Sequence, residues 1–300
     1  MKKIIIISAV NLRSGGPLSI LIDCLSYAQN NLLEEYRIIA LVHDSTLLNV
    51  DGIELIEFKD SASSYVRRLY YEYFYFKKIS EKYNPFLWLS LHDITPNVTA
   101  DIKAVYCHNA APFYRMQFKD ILIDPFFFLF NSFYKYLYRI NIKKNNYVIV
   151  QQDWLRTAFK KMYGIKRIIV AHPDDIFVYD IPSVKKVGNK YRFFYPTLSR
   201  FFKNIEVIGE AVKILNEKDY MNFEVIITID GTENYYAKSI VNLYEKYNNI
   251  KLIGRVDRKD VFKIYANSDC LLIATACFFL QSLKVGVYQL QNLKQPANCY

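Results

Sequence analysis

The sequence predicts an α/β protein in which two parallel sheets follow one another along the chain. Short apolar runs alternate with segments of helical period in both halves, a pattern typical of parallel strands joined by helices. The alternation stops over residues 171–190, which hold two prolines, three aspartates and Gly188, and then starts again. A chain of 300 residues that is 52% hydrophobic and 23% charged can bury two cores of ordinary size.

The first half is predicted to form seven strands with helices between them. Its strands are short, mostly apolar runs bounded by polar or turn residues. In order, the predicted strands are Ile4–Val10, Arg37–His43, Glu54–Phe58, Phe86–Leu91, Ala104–Cys107, Tyr147–Val150 and Arg167–Val170. The predicted helices are Leu18–Asn30, the aromatic-rich Val66–Tyr83, and Asp153–Tyr163, which begins with a residue favoured at helix N-termini.

The second half repeats the pattern over a shorter stretch. Its predicted strands are Arg192–Tyr195, Phe223–Ile229, Ile250–Ile253 and Cys270–Ile273, and its predicted helices are Ile205–Asn216, Tyr235–Tyr247 and Lys259–Ala266. The simplest architecture is two consecutive Rossmann-like domains, the first over residues 1–187 and the second, incomplete, over residues 188–273. Residues 274–300 show no helical or strand period and are predicted to be an aberrant tail.

The charge and the aromatic content of the chain limit the kinds of ligand that it could bind but do not select a single one. Lys and Arg number 39 against 29 Asp and Glu, a net charge of +10, and there are 26 Tyr and 21 Phe. Basic and aromatic residues together suit phosphate-bearing ligands, sugars, a membrane interface or single-stranded nucleic acid. The basic residues are spread along the chain rather than clustered, which argues against nucleic acid. Four His without ligand spacing argue against a metal site, and the absence of a long uncharged apolar run predicts a cytoplasmic protein.

Candidate binding residues follow the first strand of each half. Gly15 and Gly16 lie in the loop before the first helix, where backbone N–H groups can approach a phosphate, although a plain tight turn explains them as well. Arg200 and Lys203 lie in the corresponding loop of the second half and could clamp a diphosphate. The alternative for these two is a solvated basic loop.

Histidines follow two further strands of the first half. His108 comes directly after the strand that ends at Cys107 and is predicted to donate to a substrate hydroxyl or phosphate. His92 and Asp93 follow the preceding strand, and they either face an acceptor or serve only to open a loop.

The segment 124–140 is aromatic over most of its length and carries Lys135 and Arg139. If it forms a helix, two interpretations have similar weight. It could lie in the interface of a membrane, with the two cations reaching the headgroups, or it could be a core helix between the sheet and a neighbour.

The order of these motifs resembles that of the GT-B glycosyltransferases of the retaining family-four type, which act in the assembly of bacterial O-antigen and capsular polysaccharides. The resemblance rests on Gly15-Gly16, the Tyr-Cys-His-Asn sequence at His108, and Val150-Gln151 before the crossing to the second half. It also rests on the blocks Phe194–Asn204, Glu210–Val212, Ile250–Val256 and Ile264–Leu272, and it covers roughly residues 1–273.

The resemblance implies transfer of a sugar from a nucleotide-sugar, which is a substrate rather than a cofactor, to a lipid-linked or saccharide acceptor. It implies retention at the anomeric carbon, no metal and a location in the cytoplasm or on the inner face of the cytoplasmic membrane. Gly15 and Gly16 would approach the donor phosphates, His108 would reach the transferred sugar as the catalytic residue, and Lys203 would neutralise the leaving diphosphate. The family's arginine position holds Leu198, so Arg200 is the candidate replacement.

The last part of the chain departs from the family, which has a glutamate pair after the strand ending Asp-Cys-Leu-Leu. No acidic residue follows Asp269. The codons of Leu283 through Lys294 can be read in the frame that begins on the third base of each codon. With a suitable choice of the degenerate third bases, this frame encodes Glu-Ser-Trp-Gly-Leu-Pro-Ile-Thr-Glu-Phe-Lys, which contains such a pair. We therefore expect that a frameshift between Leu272 and Leu283 truncated a glycosyltransferase and impaired it, which the DNA sequence would test. The alternative is a non-catalytic protein that binds a nucleotide-sugar or a lipid phosphate.

Overall fold

The computed structural model describes residues 2–113, 125–172, 189–274 and 286–289. The chain divides into two compact units, Met1–Asp174 and Asp175–Tyr300. Each unit is an α/β layer structure around a sheet of mainly parallel strands, which confirms the predicted fold class. Most of the predicted linker, residues 173–188, lies outside the described residues.

Over the described ranges of the first unit, seven strands form one sheet, and each neighbouring pair is parallel. The strands are β1 Lys3–Ala9, β2 Tyr36–Val42, β3 Glu54–Glu57, β4 Leu87–Ser90, β5 Ile102–Cys107, β6 Tyr147–Val150 and β7 Ile168–Val170. Their order across the sheet is β3-β2-β1-β4-β5-β6-β7. The sheet therefore grows in one direction from β1 through β2, and in the other direction from β4 onward, as in doubly wound folds.

The helices of the first unit are α1 Gly15–Asn31, α2 Tyr65–Tyr70, α3 Phe76–Tyr83, α4 Pro125–Arg139 and α5 Asp153–Tyr163. The sequence predicts one helix over Val66–Tyr83, but the structure inserts a π-helical turn, Tyr71–Tyr75, between α2 and α3. A π turn adds a residue to the ladder and rotates the side chains that follow it, and such turns are frequent at functional sites.

Alternate residues of β1 supply two cores on opposite faces of the sheet. Ile5, Ile7 and Ala9 pack with α1 in one cluster, whereas Ile6 and Val10 pack in another cluster beneath α3. This alternation follows from the period of two along a strand. Because both faces are covered, β1 is apolar at nearly every position, as buried parallel strands are.

In the residues of the second unit that the structure describes, there are five strands and three α-helices. The strands are β8 Tyr191–Tyr195, β9 Phe223–Ile227, β10 Ile250–Leu252, β11 Cys270–Ile273 and β12 Gly286–Gln289, in the order β10-β9-β8-β11-β12. The helices are α6 Glu206–Glu217, α7 Tyr235–Tyr244 and α8 Arg258–Ala266. The four strands from β8 to β11 are parallel and repeat the order found around β1.

The predicted tail contributes one strand that its sequence pattern did not indicate. β12 pairs antiparallel with β11, with Leu271 opposite Tyr288. Residues 275–285 and 290–300 lie outside the described residues. The strand Gly286–Gln289 is only four residues long, and its hydrophobic pattern is too short to distinguish a strand from a loop.

The core of the second unit packs α6 and α7 against β9. Gly209 of α6 is buried against Tyr244 of α7, and the Tyr244 hydroxyl lies 2.9 Å from the Gly209 nitrogen. A Cβ built on Gly209 would come within 2.1 Å of the Tyr244 ring. The glycine is therefore required by close packing rather than by backbone conformation.

Candidate functional site

The strand order places a topological switch point in each sheet. In the first unit, the chain runs from β1 to β2 and β3 on one side of β1 and then crosses to β4 on the other side. In open parallel sheets, ligands bind outside the carboxyl ends of the strands at this point. Every candidate residue of the first half follows the carboxyl end of β1, β4 or β5, so all of them lie at this edge.

Gly15 and Gly16 form the first residues of α1, close after the end of β1. Gly15 has a φ of 63°, in the left-handed region, and a Cβ built on either glycine meets no atom within 4 Å. The N-cap residue Ser14 makes no side-chain capping hydrogen bond, and the first turn holds no acidic residue. The N–H groups at the start of this 17-residue helix are thus open to an approaching anion.

Asp93 connects three segments at the carboxyl edge of the sheet. Its Oδ1 accepts hydrogen bonds from the backbone N–H of His108 at 2.8 Å, from the N–H of Asn109 at 3.1 Å and from the Tyr138 hydroxyl at 2.7 Å. Its φ of 69° is one that aspartate tolerates better than most residues. Asp93 therefore fixes the backbone that carries His108.

The His108 ring lies beside Asp93 and stays partly open. Nδ1 is 3.5 Å from Asp93 Oδ1 and is itself buried, while 20% of the side chain is exposed. The exposed part of the ring is therefore on the side away from Nδ1. The ring stacks with Tyr106 at a centroid distance of 6.0 Å. Because the ring is packed on one side and open on the other, it can offer a nitrogen to a ligand.

His92, by contrast, is buried and sits between β1 and α2. Its Nε2 lies 3.2 Å from Ser8 Oγ and 3.1 Å from Glu72 Oε1. Arg68 donates to the His92 carbonyl oxygen at 2.8 Å and lies 3.2 Å from Nδ1. A side chain that is 1% exposed cannot reach an acceptor in this arrangement, which favours the structural alternative for His92.

The guanidinium of Arg68 determines the tautomer of His92. Arginine has donors and no acceptor, so the ring nitrogen that faces it, Nδ1, must lack a proton. The hydrogen of the neutral ring is then on Nε2, which faces Ser8 and Glu72. Burial and the neighbouring charge of Arg68 hold the pKa of His92 well below its usual value, so the ring stays neutral.

Glu72 is a buried acid on the π-helical turn. Burial raises its pKa to about 8, and the charge of Arg68 opposes this rise. Within the described part of the chain, neither carboxyl oxygen of Glu72 has an aligned hydrogen-bond donor, although Oε1 lies near His92. Glu72 is therefore held largely protonated at neutral pH. Nothing in the spacing of the sequence indicates this acid, because the π turn alone brings it to the ring.

The loop after β8 in the second unit is held by paired side chains. The Thr197 N–H donates to Thr228 Oγ1 at 2.7 Å, and the Thr228 hydroxyl donates back to the Thr197 carbonyl at 2.8 Å. Ser199 donates to Asn234 Oδ1 at 2.8 Å, and Asn234 also caps α7 through the Ala237 N–H. These bonds connect the ends of β8 and β9 and fix the loop that carries Arg200 and Lys203.

Arg200 and Lys203 differ in environment. Arg200 is exposed, as is Leu198 at 63%, and it precedes a 3-10 turn over Phe201–Lys203. Lys203 is half-buried, and burial lowers the pKa of its ammonium group. No carboxylate of a described residue lies within ion-pair distance of Lys203. A partly desolvated cation without a counter-ion is the chemistry of an anion-binding group.

Helix α4, in the segment 124–140, buries one face in the core and exposes the other. Tyr134, Leu137 and Tyr138 are buried in the core of the first unit. The opposite face exposes a stripe of apolar side chains at helical spacing: Phe126 82%, Leu129 61%, Phe133 45%, Tyr136 68% and, just after the helix, Ile140 44%. Residue 124 lies outside the described residues. In the described part of the chain, no helix has the length and apolar character needed to cross a membrane.

The described residues contain no group of three or more His, Cys, Asp or Glu side chains placed to hold a metal ion. The structure thus gathers Gly15, Gly16, Asp93 and His108 at one edge of the first sheet, and Arg200 and Lys203 at the corresponding edge of the second. His92 lies beneath the first edge. The sequence pattern did not indicate the buried residues that support this edge, which are Ser8, Arg68, Glu72 and Tyr138.

Comparisons with known proteins support the fold. No protein-family model and no curated protein matches the chain. A solved glycosyltransferase from Rickettsia africae ESF-5 is similar, with a TM-score of 0.61 and 16% identity over 91% of this chain and 73% of that one. The lipopolysaccharide outer core galactosyltransferase WaaB in its apo form is similar with a TM-score of 0.57 and 12% identity, over 91% and 74%. TarM is similar with a TM-score of 0.56 and 9% identity, over 92% and 80%. These likenesses show that the chain has the two-domain GT-B fold of those proteins.

Proposed function

We propose that the chain is a glycosyltransferase that moves a sugar from a nucleotide-sugar donor to a lipid-linked or saccharide acceptor in surface polysaccharide synthesis. The observation that carries the proposal is a feature that the two units share. In each, the first strand of a sheet with the same order ends in a loop suited to phosphate. The likeness to solved glycosyltransferases supports it.

The proposed donor-binding residues are Gly15, Gly16, Arg200 and Lys203. The two glycines leave open space at the uncapped N-terminus of α1, which favours a phosphate. Lys203 has a desolvated ammonium group, whose interaction with a diphosphate is stronger than that of a solvated one. Its proposed role is to neutralise the negative charge that develops on the leaving diphosphate.

His108 is the proposed catalytic residue. Asp93 holds the backbone of the His108 loop and lies beside the buried side of the ring, so the open side can contact the transferred sugar. A residue oriented in this way needs no rearrangement when the ligand binds, which is the physical advantage of preorganisation. Retention at the anomeric carbon is part of the proposal through the family resemblance.

A non-catalytic binding protein is the second candidate. The acidic residues that the family places after the strand corresponding to β11 are not found in this sequence, which has none after Asp269. Without them, one face of the donor would lack its negative partner. The chain would then bind a nucleotide-sugar or a lipid phosphate through the same groups and release no product.

The first experiment measures binding of UDP, GDP and ADP by calorimetry, and then release of the nucleoside diphosphate from matching nucleotide-sugars. Binding with release supports the glycosyltransferase, and binding without release supports the binding protein. In Lys203→Gln we expect the diphosphate affinity to fall at least about tenfold, because a charge-assisted hydrogen bond of ~1.5 kcal/mol is lost. The matched control is Lys238→Gln, an exposed lysine on α7. Equal affinities of the two variants would contradict the role of Lys203.

A second experiment tests the glycine loop with Gly16→Ala. The new methyl group meets no protein atom, so the variant should fold as the wild type does. A phosphate that approaches the backbone closely would nevertheless collide with the methyl group. We expect an unchanged melting temperature and weaker nucleoside diphosphate binding. Unchanged binding would show that Gly16 serves only the turn.

A further inference from the structure

A basic hollow lies at the C-terminal end of α4. It encloses about 910 Å³ between the last turn of α4, the following turn and the end of α5. Its charged lining consists of Lys135, Arg139, Lys143 and Lys144, and no acidic residue is among the lining residues. All four cations are exposed, and none forms an ion pair with a described residue.

Helix dipoles explain only part of this charge. Both α4 and α5 end at the hollow, and the carbonyl groups at a helix C-terminus attract cations. Each helix end is equivalent to roughly half a negative charge, so the two ends supply about one. Four cations therefore leave a net charge of about three that the protein itself does not neutralise.

The hollow continues into the exposed apolar stripe of α4. Tyr136 belongs to both, since it lines the hollow and is 68% exposed, and Met162 adds a second exposed apolar side chain at 44%. The stripe residues Phe126, Leu129 and Phe133 follow on the same face of the helix. Aromatic side chains beside lysine and arginine are the arrangement that favours the boundary between lipid headgroups and acyl chains.

We propose that this surface, formed by the stripe of α4 and the four cations of the hollow, binds the phosphate groups of acidic phospholipids in a bilayer. The stripe would enter the acyl boundary while the cations contact the headgroups. A soluble phosphate compound would use the hollow alone and leave the stripe in water. The inference deepens the lipid-linked acceptor of the proposed function and rests on that function for its biological meaning, although its test requires no sugar transfer.

The test is co-sedimentation of the full chain with vesicles. One set contains phosphatidylcholine alone, and the other contains phosphatidylcholine and phosphatidylglycerol in equal parts. We expect binding to the acidic vesicles and little to the neutral ones. Lys143→Gln combined with Lys144→Gln should lower the partition constant about fivefold for each cation removed, since a cation at an acidic surface contributes ~1 kcal/mol. High salt should weaken the binding.

A matched control separates the site from the net charge. Lys218→Gln combined with Lys238→Gln removes two exposed lysines of the second unit that do not line the hollow. We expect this control to bind as the wild type does. Phe126→Ser combined with Leu129→Ser should also reduce binding, because the apolar contact is lost while the charge is kept.

Three results would overturn the proposal: no preference for acidic vesicles, equal losses in the two lysine variants, or full binding by the variant without Phe126 and Leu129. Full binding by that last variant together with competition by inorganic phosphate would indicate a site for soluble phosphate. Nucleoside diphosphate binding by the Lys143 and Lys144 variant is measured in parallel. Its retention would separate a failure of this surface from a failure of the proposed function.

Discussion

Replacing the buried acid of the π turn, Glu72→Gln, should change how the stability of the protein depends on pH. Glu72 is fully buried, and its pKa of about 8 lies above the ordinary value of 4.5. Between these values the folded state holds a proton that the unfolded state has released. The free energy of unfolding of the wild type therefore falls as the pH rises through this window. Glutamine has no proton to lose.

The magnitude follows from the size of the window. Each pH unit is worth ~1.4 kcal/mol, so the two and a half units between 4.5 and 7 cost the wild type ~3 kcal/mol by pH 7. Glu72→Gln should thus be more stable than the wild type at neutral pH. The difference should shrink toward zero as the pH approaches 4.5. Gln keeps the shape of the side chain, so the substitution changes the charge and leaves the packing in place.

The assay is urea unfolding of both proteins at a series of pH values from 4.5 to 8.5, followed by intrinsic fluorescence. Glu81→Gln is the control, because Glu81 is exposed on α3 and lies 3.9 Å from Lys77. We expect little change there, since exposed pairs contribute less than about 1 kcal/mol. If Glu72→Gln is instead destabilised at pH 7 and keeps the wild-type pH dependence, Glu72 is ionised and paired with Arg68. The reasoning from burial would then be refuted.

Two further substitutions test the packing. Tyr138→Phe removes the hydroxyl that donates to Asp93 and should lower the free energy of unfolding by about 1–3 kcal/mol. The control, Tyr136→Phe, changes an exposed side chain and should leave this free energy unchanged. Equal melting temperatures of the two variants would contradict the role of the hydrogen bond. Gly209→Ala places a methyl group 2.1 Å from the Tyr244 ring and should lower the melting temperature through an overpacking cost of about 1–3 kcal/mol or more. Gly16→Ala is the matched control, and an intact melt of Gly209→Ala would show that Tyr244 moves freely.

The sequence predicted the parallel strands well because each is a short apolar run with a clear boundary. Tyr147–Val150 and Cys270–Ile273 were predicted to the residue. The π turn could not be predicted, since Val66–Tyr83 has the composition of an uninterrupted helix. The turn adds a single residue, and the helical period of the sequence contains no signal for it.

The candidate site was predictable only in outline. Strand ends are visible in the sequence, so His108 and the glycine loop could be placed at one edge of a sheet. The partners of these residues come from distant segments: Tyr138 reaches Asp93 across 45 positions, and Arg68 reaches His92 across 24. Such pairs depend on three-dimensional packing, and one sequence contains no signal for them.

The hydrogen bond between Tyr138 and Asp93 has a mechanical consequence. Its donor belongs to α4, whose outer face is exposed, and its acceptor also holds the N–H groups of His108 and Asn109. A displacement of α4 along the line of this bond by one residue's rise, about 1.5 Å, would stretch its 2.7 Å length beyond hydrogen-bonding range. A small displacement of the helix is therefore transmitted through this bond to the loop that carries His108. A larger displacement breaks the bond first.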